Sequence, residues 1–174
     1  AFMNMYQQEP VPDGSALITR AWLEACRDYS RPAYKGYRRQ QSDAYLPIVR
    51  VLSVDPSPKK FHGLVVGDLL YSKDSFTFVM TEAHRIKRGH TELRNAIEDI
   101  MHRSHPDYII VEESSFFAWM QEDPWWIDLK RRAGYLKHHT GVNKNAHEYG
   151  LQSLAGDFEF MRISLPYGDE EARR

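Results

Sequence analysis

The stretch LPIVRVLSVD, residues 46–55, decides how the rest of the chain is read. It is apolar and β-branched on both faces of a two-residue period, the pattern of a strand buried in the middle of a sheet. It stops at Asp55-Pro56-Ser57-Pro58, where two prolines lack the N–H donors that a ladder needs. An acidic residue therefore closes a central strand. Residues 61–71 and 76–86 read as two more strands, and the polar connector Ser72-Lys73-Asp74-Ser75 is short enough for a hairpin. A helix follows, with Thr91 as its cap, Glu92 in its first turn, and Leu93, Ile97, Ile100 and Met101 as its apolar stripe. It ends near His105-Pro106 and leads into Tyr108-Ile109-Ile110-Val111-Glu112-Glu113, a second buried strand closed by carboxylates.

Downstream, Asp123 caps a helix with Pro124 at its first position and Gly134 just past its end. Residues 135–139 fit a short strand. Asn143 or Asn145 opens a third helix, with Tyr149, Leu151 and Leu154 inward and Gly156 closing it. Residues 160–165 form a last strand stopped by Pro166. Upstream, residues 1–45 hold Pro10, Pro12, Gly14, Pro32 and Gly36 and only one short helical pattern, Ala16 to Cys26. This part reads as an arm or linker, and residues 46–174 as the domain. The expected fold class is α/β, a mixed sheet with a three-strand antiparallel meander and added parallel strands, flanked by helices.

At 174 residues, with 42% hydrophobic and 27% charged residues, the chain can bury a core without a disulfide or structural metal. No apolar run approaches the roughly 20 residues needed to cross a bilayer, and the first ten residues lack the basic and apolar regions of a signal peptide. The single cysteine, Cys26, fits a reducing compartment, so a cytoplasmic protein is expected. A net charge of −1 excludes neither DNA nor protein partners, because a DNA site needs only a local basic stripe. Such a stripe is available between Lys130 and His147, which carries Arg131, Arg132, Lys137 and Lys144 and no acid.

The acids matter most where the topology joins them. A strand reached through a helical crossover can lie parallel to the first strand and beside it, so Asp55 and Glu112 would meet at one sheet edge. That edge is where open α/β sheets bind ligands. Two converging carboxylates repel unless a cation lies between them, and hard divalent ions prefer oxygen ligands. Mg2+ or Mn2+ there, as a pair of ions about 3.5–4 Å apart, would suit phosphodiester cleavage. The plainer alternative makes Asp55 a turn residue before proline and Glu112 a strand terminus. Glu113 is ranked below Glu112 because strand alternation turns it to the other face.

The motif Val54-Asp55-Pro56, the hairpin after it and Ile109-Ile110-Val111-Glu112-Glu113-Ser114-Ser115-Phe116 together resemble the nuclease domain of the large terminase subunits of tailed bacteriophages. The likeness continues through Asn143-Lys144-Asn145 and residues 158–166, and backward to residues 5–10 and 16–22, which look like the end of a terminase ATPase region. The resemblance implies an RNase H-like fold and a two-metal endonuclease that cuts double-stranded concatemeric viral DNA during genome packaging. Asp55 and Glu112 would be the catalytic, metal-binding acids. Lys144 would contact a DNA phosphate, with Lys137 and Arg131 as further DNA contacts. The small terminase subunit and the portal would be partners in the full motor, at the viral procapsid in the host cytoplasm. The family's further acids come from a last helix that this sequence does not reach, and Asp169 is a weak match for them. A Holliday-junction resolvase or transposase-like nuclease, and a non-catalytic DNA- or portal-binding module, are the alternatives. Trp125, Trp126, Phe116, Phe117 and Trp119 read as core rather than base-stacking residues, and Glu82 as a surface or supporting acid.

Overall fold

The computed structural model describes residues 17–32, 47–57, 61–72, 75–87, 89–113, 122–139 and 151–167. Strands β2 (Pro47–Asp55), β3 (Phe61–Ser72) and β4 (Ser75–Lys87) form the antiparallel meander. Strand β5 (Tyr108–Glu113) lies parallel beside β2, and β6 (Gly134–His139) lies parallel outside β5. On the other side, β7 (Ile163–Tyr167) joins β4 at Phe78 and Val79, and β1 (Arg27–Pro32) joins β7, both in parallel. The sheet thus runs β1-β7-β4-β3-β2-β5-β6. The helices are α1 (Arg20–Ala25), α2 (His90–Ser104), α3 (Pro124–Arg132) and α4 (Leu151–Glu159). None of the described helices is long and apolar enough to cross a membrane.

One face of the sheet carries the main core. Leu52 and Val54 of β2, Leu64 and Val66 of β3, and Ile109 and Val111 of β5 pack under Leu93, Ile97 and Ile100 of α2 and Trp126 and Leu129 of α3. Trp126 is fully buried and meets Tyr135 edge-on at 5.5 Å between ring centroids. Truncating an aromatic of this kind to Ala typically costs about 3–5 kcal/mol, so α3 is tied firmly to the sheet. A second cluster joins Ile18 and Cys26 to Ala155 and Phe158 of α4 and Ile163 of β7.

Several elements differ locally from their sequence patterns. The stretch read as an arm supplies α1 and β1, and Leu165 N–H donates to the Cys26 carbonyl at 2.8 Å. The six residues RDYSRP show no alternation of apolar and polar residues, so only pairing with β7 reveals them as a strand. Helix α2 is capped at Gly89, not Thr91, in a backbone conformation with φ of 149° that favours glycine. Gly156 lies inside α4 rather than closing it, because burial of Phe158 carries the helix on to Glu159. Residues 160–162 form the turn before β7, with Met161 at φ 53°, and Pro166 sits within the strand. The Asp123 cap holds: its carboxylate accepts from Trp125 N–H at 2.8 Å. Asn143, Asn145, Phe116, Phe117 and Trp119 lie outside the described residues.

Candidate active site

Register decides what the sheet displays on its other face. Leu52 pairs with Ile109 and Val54 with Val111, all four pointing into the core. Side chains alternate along strands, so Ser53, Asp55, Ile110 and Glu112 occupy the opposite face. Asp55 and Glu112 are each one residue beyond the Val54–Val111 pair. They are therefore lateral neighbours at the C-terminal ends of adjacent parallel strands, about 4.8 Å apart in backbone spacing. Both are half-buried.

The neighbouring strand keeps this place open. Gly63 pairs with Asp55, and a Cβ built on it would sit 3.7 Å from the Asp55 Cβ. A larger side chain at position 63 would lie against the carboxylate. Behind the acid, His62 holds the outgoing chain. The ring is fully buried, accepts Ser57 N–H at Nδ1 (3.0 Å), and brings Nε2 within 3.2 Å of the Gly89 carbonyl. The Gly89 N–H also lies 3.3 Å from Nε2, so both backbone groups of Gly89 face this nitrogen. A neutral ring that accepts from Ser57 at Nδ1 would carry its proton on Nε2, toward the Gly89 carbonyl. Burial pushes the His62 pKa down, which keeps the ring neutral despite the Gly89 carbonyl. The loop after Asp55 and the start of α2 are thus joined through one side chain.

Glu82 belongs to the other face. It pairs with core residue Val66 and receives His84 Nε2 at 2.6 Å, Arg103 Nη1 at 2.5 Å and Ser104 Oγ at 2.9 Å. Burial alone would raise its pKa, but these donors hold it down at about 2. On the same face Arg50 makes a two-pronged pair with Asp68, at 2.6 and 2.7 Å, and donates to the Ser104 carbonyl at 3.2 Å. These ion pairs anchor the C-terminal end of α2 to the sheet.

The proposed DNA contacts are dispersed. Lys137 pairs with Val111, so it stands on the helix-covered face, where it is exposed. Arg131 is exposed near the end of α3, in a cleft with His102, His105, Asp107 and Gly134, at the sheet edge where β5 and β6 begin. Lys144 and Asp169 lie outside the described residues. His138 is level with Glu112 in the ladder.

Two carboxylate oxygens from rigid strands suit Mg2+ or Mn2+ in donor type, and such ions take their remaining ligands from water or substrate phosphate. Among the described residues no group of three or more His, Cys, Asp or Glu surrounds one point. Asp55 and Glu112 are thus two oxygen donors side by side, fewer than a complete ligand set among the described residues.

No protein-family model and no curated protein matches this sequence. Solved structures do match in fold. The nuclease domain of the large terminase subunit gp2 of bacterial virus Sf6 superposes with a TM-score of 0.56 at 13% identity, covering 91% of this chain and 78% of that one. The chain shares the fold of that nuclease domain. The large terminase of a thermophilic bacteriophage gives a TM-score of 0.50 at 14% identity, covering 84% of this chain and 34% of that one. This chain therefore spans about a third of the thermophilic phage protein. RuvC of Thermus thermophilus is more distant, with a TM-score of 0.39 at 16% identity over 52% of this chain and 63% of its own.

Proposed function

We propose that this chain is a divalent-metal-dependent endonuclease, the nuclease domain of a large terminase, and that Asp55 and Glu112 are its catalytic metal ligands. The observation that carries the reading is the register: two acids from strands 57 residues apart become neighbours on one face, one residue past Val54–Val111. The terminase-like fold supports it. Mg2+ or Mn2+, as a pair of ions, would lower the pKa of an attacking water and stabilise the leaving oxygen of the phosphodiester.

The protein's own part is positioning. Strands β2 and β5 hold the backbones of Asp55 and Glu112 side by side through the ladder, and a divalent cation shared by the two carboxylates would offset their repulsion. His62 fixes the loop that leaves Asp55, and Gly63 leaves space for the substrate backbone beside it. In this reading the substrate is double-stranded viral DNA, cut as concatemers are packaged at the procapsid in the host cytoplasm. The small terminase subunit and portal are the proposed partners, and residues 1–45 lead back toward the ATPase region. Lys144 is the proposed phosphate contact. Lys137 and Arg131, away from the carboxylate face, are proposed to meet only DNA that continues past the sheet.

The test is nicking of supercoiled plasmid with Mn2+, with EDTA, and with Asp55→Ala in parallel. Nicking that requires the ion and disappears in the folded variant is the expected result. Undiminished nicking by Asp55→Ala sinks the assignment. So does silence of the wild-type chain together with silence of a version extended past Arg174.

A further inference from the structure

The face bearing Asp55 and Glu112 also displays two cations. Asp55 pairs with Gly63, and Gly63 pairs in turn with Arg85 of β4. Directly paired residues share a face, so Arg85 stands in the same row as Asp55, two strands away. Two strand spacings make about 10 Å, roughly three base-pair steps of duplex rise. Lys87, opposite Phe61, is on this face too and nearer the same edge. Both cations are exposed. The residue between Asp55 and Arg85 is a glycine, so no side chain from β3 separates the acid from the cation.

Arg85 differs from five other described arginines, though not from Arg20, Arg94 and Arg131, in what it touches. Arg27, Arg50, Arg103, Arg132 and Arg162 each have a carboxylate partner. Among the described residues Arg85 has none. Its guanidinium carbon instead lies 3.8 Å from the centroid of the Phe61 ring. Stacking restrains the long side chain while leaving the rim of N–H donors for an acceptor, the arrangement in which arginine recognises phosphate. A simpler role exists, since cations on an exposed strand discourage edge-to-edge pairing. That role would leave affinity for DNA unchanged.

We propose that Arg85 and Lys87 form a phosphate grip for duplex DNA, holding the backbone that flanks the bond presented to Asp55 and Glu112. This rests on the nuclease reading above. The row orders the face from acid to cation across Gly63: the metal-bound phosphate lies over β2 and β5, and neighbouring phosphates of the same duplex lie over β4.

The test is fluorescence anisotropy of the full chain with a short labelled duplex in EDTA, across a salt series, so that neither metal nor cleavage enters. Wild type is compared with Arg85→Gln, Lys87→Gln, Arg85→Lys and Arg94→Gln, the last an exposed residue of α2, which covers the opposite face. Each lost phosphate contact reduces the slope of log K against log salt by about 0.9, which at 0.1 M salt is roughly an eightfold loss of affinity. Arg85→Gln and Lys87→Gln should each show that loss. Arg85→Lys should keep the slope, and Arg94→Gln should behave as wild type. Wild-type slopes and affinities in both Gln variants overturn the grip while leaving the nuclease reading intact, provided that the same wild-type preparation nicks plasmid with Mn2+. A loss of affinity with no change in slope overturns it as well. No duplex binding and no nicking by wild type overturns both.

Discussion

Substituting Glu82→Gln removes a charge from the helix-covered face of the sheet and none from the face of Asp55 and Glu112. In the folded chain the Glu82 carboxyl titrates at about 2, against 4.5 for a free one. At 1.36 kcal/mol per factor of ten, this difference is worth roughly 3 kcal/mol at neutral pH. The residue is 6% exposed, so solvent screens little of it. The folded pKa is depressed, so the contribution is complete above the unfolded value. It declines as pH falls below 4.5 and is exhausted below about 2. By pH 3 about 2 kcal/mol should be gone. Urea denaturation of wild type and variant at pH 7, 5, 4 and 3 reads this directly. The stability gap between them should be constant near neutrality and shrink toward pH 3, and other acids cancel because both proteins carry them. At neutral pH the folded variant should still nick plasmid in the presence of Mn2+. A gap that ignores pH would refute the ion-pair account. Loss of nicking from a folded variant would refute the division of acids between the two faces.

His62→Ala leaves the Ser57 N–H and the half-buried Gly89 carbonyl without their ring partner. Denaturation should show a cost of about 2–4 kcal/mol, and nicking should weaken because the loop after Asp55 is no longer held. Wild-type stability in this variant would count against the clamp. For Arg50 and Asp68, either single replacement, Arg50→Met or Asp68→Leu, strands a buried charge and should cost about 3–5 kcal/mol. The double replacement should recover most of that loss in the same assay. Simple addition of the two single costs would show that the pair is not coupled.

How much of this was open to sequence reading depends on the kind of signal each feature needs. Strands β2, β3, β4 and β5 announce themselves through apolar runs bounded by prolines and polar turns, and α2 through Leu93, Ile97, Ile100 and Met101, all of which are buried. The meeting of Asp55 with Glu112 follows from one further rule, that a crossover returns the chain parallel to its start. Arg50 is different. Inside an apolar run it looks like an interruption, and its partner Asp68 is 18 residues away on another strand. Only the register of β2 against β3 brings them together. The register of β3 against β4 contains an irregularity between Val66 and Gly67 that no residue pattern signals. Beyond that irregularity the parity of β4 is what assigns Glu82 to the helices and Arg85 to the open face. Shifting β4 by one residue would exchange their faces, burying a guanidinium under α2 and placing Glu82 on the face of Asp55. Each misplaced charge would then lack the partner that its surroundings demand, since Arg103 and Ser104 are donors and need an acid opposite them. The ion pairs at the C-terminal end of α2 therefore do more than anchor a helix: by making the wrong parity costly, they keep the carboxylate face composed as it is.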